Sequence, residues 1–188
     1  MFYTTSYSSP LGPVFMASDG ENLVGLWLER QKYFAATVQG AGNKNASFAE
    51  LVEKPDLPVF IQTKEWLDAY FAKKNPSIKG LPLAPIGGVF RKAVWDILCG
   101  IPYGQCITYG EIAKMIAAKM NKKAMSSQAV GGAVGHNPIS IVIPCHRVVG
   151  AKGNLTGYAG GLDKKIWLLT LEGVDMTAYY APKKGTAL

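Results

Sequence analysis

Thr108-Tyr109-Gly110-Glu111-Ile112-Ala113-Lys114-Met115-Ile116, the loop Asn121 to Met125, and Ser126-Ser127-Gln128-Ala129-Val130-Gly131-Gly132-Ala133-Val134-Gly135 form the stretch that decides the architecture. Threonine followed three positions later by glutamate is a capping box, in which each side chain satisfies a main-chain N–H at a helix start. A helix therefore begins at Thr108, with Ile112, Met115 and Ile116 as its buried stripe. After the lysine-bearing loop, Ser126 or Ser127 caps a second helix whose stripe is small: Ala129, Val130, Ala133 and Val134. Two helices joined by a short connection make a helix-turn-helix. Gly131 and Gly132 cost the second helix about 1 kcal/mol each relative to alanine. Such a cost makes sense where another backbone, of protein or nucleic acid, comes very close.

Working outward, Phe90, Val94, Ile97 and Leu98 mark a preceding helix that ends at Ile101-Pro102-Tyr103-Gly104, and Cys106 to Thr108 form a short strand. Downstream, Gly135 closes the helix-turn-helix and Asn137-Pro138 turns the chain into an apolar strand through Ile141-Val142-Ile143. A hairpin around Lys152-Gly153-Asn154 and a glycine-rich loop from Gly157 to Gly161 follow. The last helix starts near Leu162, keeps Leu162, Ile166 and Leu169 on one side and stops at Gly173, which puts Glu172 at its end.

The N-terminal part has a different pattern: strands at Phe2 to Ser6, Val14 to Ser18 and Leu23 to Leu28, with an Asp19-Gly20 turn and an amphipathic helix over Asp56 to Lys74. Pro and Gly cluster between Asn75 and Gly88. The expected organisation is an α/β domain over 1–80, a linker over 81–88, a mainly α helix-turn-helix domain over 89–175 and a tail over 176–188.

Charge follows the same division. Residues 1–85 hold eight Lys/Arg against eight Asp/Glu, whereas 86–188 hold twelve against five, so the whole net charge of +7 lies in the second part. A basic half beside a neutral half suits a polyanion partner. Three cysteines without paired spacing suit a reducing compartment, and two histidines without a Cys-x-x-Cys pair offer no zinc set. No apolar run reaches the roughly 18 residues of a bilayer span, and the first residues lack a secretory pattern. A cytoplasmic protein is expected.

The chemistry concentrates in Ile143-Pro144-Cys145-His146-Arg147-Val148. A thiol becomes a nucleophile when a base or positive charge favours its thiolate, and Cys145 has a histidine and an arginine beside it. On a strand Cys145 and His146 would point to opposite faces, so they cooperate only if the backbone turns; Pro144 offers that turn. Cys99 and Cys106, in apolar helical and strand-like surroundings, read as structural.

Together with Gln128 to Ala133, Asn137-Pro138, Thr156-Gly157-Tyr158-Ala159-Gly160-Gly161 and Trp167-Leu168-Leu169 leading to Glu172-Gly173, this block resembles the bacterial O6-alkylguanine-DNA alkyltransferase family. The resemblance runs from about Val89 to Gly173 and is weaker earlier, where it rests on Ser9-Pro10-Leu11-Gly12. It implies a ribonuclease H-like first domain, a winged-helix-like second one, and a monomer that needs no cofactor or metal. The implied activity is irreversible, single-turnover transfer of an alkyl group from O6-alkylguanine, and also O4-alkylthymine, in DNA to Cys145.

In that family pattern His146 draws off the thiol proton through a water, Glu172 supports the imidazole, Asn137 bonds within the turn, and Tyr109 rotates a phosphate and assists the departing guanine. Val148, Tyr158 and Ala159 are expected to line the base pocket. Arg91, Tyr109, Gly110, Gln128, Ala129 and Gly131 are expected to meet duplex DNA from its minor groove. Gln128 departs from the pattern, since the family usually has an arginine there to fill the gap left by a flipped base. Two other functions fit parts of the chain. A non-catalytic reader of alkylated DNA would not need Cys145, and a cysteine hydrolase would leave the helix-turn-helix idle.

Overall fold

The computed structural model describes residues 1–40 and 51–181. The chain divides into two compact units, Met1–Gly87 with Pro138–Val142, and Gly88–Asn137 with Ile143–Leu188.

In the first unit β1 (Tyr3–Ser9), β2 (Gly12–Ser18) and β3 (Leu23–Leu28) form an antiparallel meander. A short α1 (Ala36–Gly40) follows, and β4 (Val52–Glu53) pairs parallel to β1, giving the order β3-β2-β1-β4. Ser9 begins the first turn by accepting from the Leu11 N–H, and Asp19 shapes the second by accepting from the N–H groups of Glu21 and Asn22. All six residues of β3 are buried, and α2 (Pro58–Phe71) buries Val59, Phe60, Thr63, Trp66, Leu67 and Tyr70. This is the expected α/β unit, with its helix shorter than the 56–74 pattern.

Two stretches differ from expectation. The first part of the expected linker 81–88 lies on the sheet, where Leu23 N–H donates to Pro82 O at 2.7 Å and Ala84 N–H to Leu23 O at 2.9 Å, and the units divide at Gly87 and Gly88. The apolar run before Cys145 is not a strand. Pro138 O accepts from Leu26 N–H at 2.8 Å, and Ser140 N–H returns a bond to Leu26 O at 2.8 Å. The chain then folds into turns, with Val142 N–H bonded back to Ser140 O at 2.8 Å around Ile141 at φ 68°. A β-branched residue is strained there. Burial, at 1 % exposure for Ile141, Val142 and Ile143, is what their apolar character reports.

In the second unit α3 (Val89–Cys99) packs on α5 (Ser127–Gly135), where the Trp95 indole donates to Ala133 O at 2.9 Å. The short β5 (Ile107–Thr108) leads into α4 (Tyr109–Lys119). Both arms of the Thr108–Glu111 capping box are formed. The buried face of α4 is Ile112, Ala113, Ile116 and Ala117; Met115, expected among them, is 48 % exposed. Ser126, not Ser127, caps α5, accepting from Gln128 and Ala129. The helix-turn-helix is thus α4, a loop and α5.

Beyond it, Val148–Val149 (β6) pairs parallel with β5, and α6 (Leu162–Leu171) closes the unit. The expected tail is docked where it is described. A 3₁₀ turn at Met176–Ala178 brings Tyr180 to Leu155 and Gly153 through main-chain bonds of 2.9 and 3.0 Å. Residues 182–188 of that tail lie outside the described residues. No helix among the described residues is long and apolar enough to cross a membrane.

Candidate active site

Pro144, at φ −81° and ψ 63°, forms an inverse γ-turn, and Cys145 N–H reaches back to Ile143 O at 2.8 Å. A 3₁₀ turn over Cys145–Arg147 follows at once. The backbone therefore bends where a strand would have separated the two side chains. Asn137, at the end of α5, donates from its amide to Ile143 O at 2.8 Å and to the Cys145 sulfur at 3.1 Å. One side chain thus fixes the turn and faces the Cys145 sulfur. Burial pushes the Cys145 thiol up, while the Asn137 amide, the Lys165 charge and the N–H groups of Cys145 and His146 pull it back without cancelling the rise. The sulfur rests as a thiol beside donors placed for its anion.

His146 is fully buried and its Nε2 lies 2.7 Å from Glu172 Oε1. Burial would raise the Glu172 carboxyl, but bonds and charges from His146 and Arg147 outweigh this and hold it well below the usual carboxylate range. An ionised Glu172 requires the Nε2 proton, which leaves Nδ1 as the basic nitrogen. Burial, with the Arg147 and Lys165 charges, lowers the His146 pKa against the pull of Glu172, so the imidazole is neutral near pH 7 and able to accept a proton. Glu172 sits at the C-terminal end of α6, where the helix dipole disfavours an anion. Its partners offset that: Arg147 Nε at 2.8 Å, Arg147 Nη2 at 3.0 Å and the Gly104 N–H at 3.2 Å. Gly104 is at φ 74°, and a Cβ there would meet Glu172 O at 2.9 Å.

Tyr109, in the first turn of α4, directs its hydroxyl at Gly157 O (3.3 Å) and Thr156 O (3.4 Å). Burial and the nearby sulfur raise its pKa, so it stays a proton donor. Tyr158 stands edge-on to His146, with ring centroids 6.5 Å apart, and its hydroxyl is buried without a hydrogen-bond partner. A buried orphan hydroxyl is what a ligand site leaves open. Val148, beside the turn, is buried and its carbonyl accepts from Lys165 at 2.6 Å; Ala159 lies partly exposed in the loop before α6.

Gln128 and Ala129 are exposed on α5, whereas Ala129 was expected in the buried stripe as well. Gly131, expected at the DNA face, is buried; at Gly132 a Cβ would meet nothing within 4 Å. Gly110 and Arg91 are both partly exposed. Arg147, read from the sequence as a charge beside Cys145, instead pairs with Glu172, and Lys165 escaped sequence reasoning. Lys165 carried a signal, since it falls three residues after Leu162 and four before Leu169 on the apolar face of α6. Among the described residues there is no cluster of three or more His, Cys, Asp or Glu able to hold a metal ion.

Known proteins resemble both units. A family described as the ribonuclease-like domain of 6-O-methylguanine DNA methyltransferase matches residues 2–85, and one described as its DNA binding domain matches 89–174. Methylated-DNA–protein-cysteine methyltransferases are 40 % identical in Haemophilus influenzae, covering 92 % of this chain and 87 % of that protein, and 45 % identical in Methanosarcina acetivorans, covering 91 % and 98 %. Mycobacterium tuberculosis OGT, solved in complex with DNA, superposes with a TM-score of 0.74 at 36 % identity over 94 % of each chain.

Proposed function

We propose, because this chain belongs to the 6-O-methylguanine DNA methyltransferase family, that Cys145 is the sulfur on which it carries an alkyl group away from DNA. The protein repairs DNA by direct transfer of an alkyl group to a cysteine. The observation that carries the assignment to Cys145 is the set of bonds around it: Asn137 on the sulfur at 3.1 Å and the His146–Glu172 bond of 2.7 Å behind it.

His146 Nδ1 takes the thiol proton through a water, and Glu172 holds the imidazolium that results. The thiolate attacks the alkyl carbon in line with its bond to O6 of guanine. A C–S bond forms, the C–O bond breaks, and its electron pair goes to guanine. The Tyr109 hydroxyl donates toward the departing base, and the proton surrendered by the thiol is the one guanine finally keeps. No diffusible cofactor is required, since the alkyl carbon already carries its leaving group. The thioether is a poor leaving group, so each molecule acts once.

A base in a duplex must rotate out to reach a sulfur that is 3 % exposed, at a cost of a few kcal/mol. Exposed Gln128 and Ala129, with open space over Gly132, suit α5 to the minor groove, where small residues allow close approach. Affinity then comes mainly from phosphates and falls steeply with salt. The orphan Tyr158 hydroxyl, the Ala159 backbone and the Val148 carbonyl frame the flipped base, O6-alkylguanine and also O4-alkylthymine. A cytoplasmic monomer suffices for this.

Intact mass after incubation with an oligonucleotide carrying O6-methylguanine tests the assignment. One methyl group per chain is expected, and none in Cys145→Ala, which still binds the oligonucleotide. Binding by the wild type without any mass gain would instead identify a reader of damage.

A further inference from the structure

Lys165 lies on the inward face of α6 with Leu168 and Leu169 and is 0 % exposed. Its ammonium uses all three hydrogens on main-chain carbonyls: Val148 O at 2.6 Å, Thr156 O at 3.0 Å and Gly157 O at 3.3 Å. Those bonds tie the loop entering the base pocket to the segment just after Cys145. Thr156 and Gly157 are also the carbonyls that Tyr109 addresses. Among the described residues no carboxylate lies within ion-pair distance of Lys165. Glu172, the buried acid of the site, is engaged by Arg147 and His146.

A buried cation without an anion is costly. With Glu172 and Arg147 cancelling, and His146 neutral, the site carries one surplus positive charge while Cys145 is a thiol. Once the thiol proton has left the site, the thiolate restores balance. Burial, opposed by Cys145 and then Cys106, leaves Lys165 lowered to about 8. The same lysine in turn draws Cys145 down and disfavours protonated His146. The other groups facing the site are Tyr109, Tyr158 and Cys106, each pushed toward its protonated form by burial, and Cys106 also bonds the Tyr179 side chain.

We propose that Lys165 is a positioning residue that supplies the counter-charge of the Cys145 thiolate while clasping the Thr156–Gly157 backbone to Val148. Alkylation consumes the thiolate, so in the spent protein the ammonium has no anion to balance. The proposal rests on Cys145 being the acceptor. Its test therefore uses a thiol reagent that needs no DNA.

Carbamidomethylation of Cys145 by iodoacetamide, followed by peptide mass spectrometry from about pH 5 to about pH 10, reports the thiolate directly. In Lys165→Met the midpoint should move to higher pH, with reaction below it about tenfold slower for each unit of displacement. Lys165→Arg keeps the charge but not the three-carbonyl fit. It should leave the midpoint near that of the wild type while slowing transfer from an O6-methylguanine oligonucleotide. Cys106→Ala should not move the midpoint. A Lys165→Met profile lowered at every pH about an unmoved midpoint would mean a purely structural lysine and overturn the proposal.

Should Lys165→Met not fold, NMR titration of isotope-labelled lysine Cε in Cys145→Ala decides instead. Lys165 must titrate at lower pH there than in the wild type, and an equal midpoint rejects the counter-charge. A wild type that reacts with iodoacetamide as expected yet gains no methyl group from the oligonucleotide would fail the acceptor assignment, not the role of Lys165.

Discussion

Among the described residues, the buried polar side chains of the first unit are Thr5, Ser18, Gln31, Thr63 and Ser140, all neutral; those of the second are Asn137, His146, Arg147, Lys165 and Glu172, four of them ionisable. In the first unit they bond neutral partners, as when Ser140 Oγ donates to Gln31 Oε1 at 2.8 Å across 109 residues and Thr63 bonds the main chain of its own helix. In the second they bond one another across 25 and 26 residues of sequence. Neutral groups suffice to hold a fold. Charges withdrawn from water cost stability unless paired, and their concentration in one unit separates the part that only folds from the part that reacts.

The sharpest way to break this contrast is Glu172→Gln. Arg147 would stay buried without its anion, at a cost of about 3–5 kcal/mol, and His146 would lose the group that fixes its tautomer. Transfer should slow by about a hundredfold or more. Urea denaturation and single-turnover transfer measure the two losses, and a variant as stable as the wild type would refute the idea that the cluster is charged. In the neutral unit, Leu67→Ala should cost about 2–4 kcal/mol by opening a cavity. Its folded fraction should transfer at the wild-type rate, since Leu67 is 0 % exposed in a core without chemistry.

Acid sharpens the comparison further. Because the Glu172 carboxyl is held well below its ordinary value, the stability it contributes is complete above its unfolded pKa, about 4.3, and is lost as pH falls through the folded value. Glu111, Asp19 and Asp175 are also lowered, yet they are exposed and water screens them. Denaturant midpoints measured below about pH 4.3 should therefore converge between wild type and Glu172→Gln. In Leu67→Ala the deficit should persist at every pH.

What could be read from the chain follows from how far each cause reaches along it. The Thr108–Glu111 capping box is local and complete in four residues, so the helix start at Tyr109 was legible. Apolar character reports burial, not conformation. Ile141-Val142-Ile143 are buried as expected but in turns, because pairing at Leu26 stops at Ser140 and Ile141 takes a positive φ. Helical spacing leaves the rotation of the stripe open by a residue, so Met115 and Ala129 face outward where Ala113 and Gly131 face in. The proposed nucleophile Cys145 and its proposed base His146 stand side by side in sequence, whereas the anion that Arg147 meets is 25 residues away.

The smallest predicted effect lies on the outer face of α5, away from the buried charges. Gln128 is exposed in the first turn of that helix, its amide long enough to bond an orphaned base but without a cation to stack on neighbouring ones. Gln128→Arg should therefore raise the rate of repair in duplex several-fold, on the scale of an exposed cation–π contact of about 0.5–1 kcal/mol. In single strands, where no gap is left to fill, the rate should hardly change. Parallel single-turnover measurements on the two substrates decide it. An equal gain on both would assign the effect to general phosphate attraction, which raises affinity for any polyanion. No gain on either would mean that the glutamine already holds the gap open. Neither result would touch the chemistry at Cys145, because nothing in the charged cluster depends on residue 128.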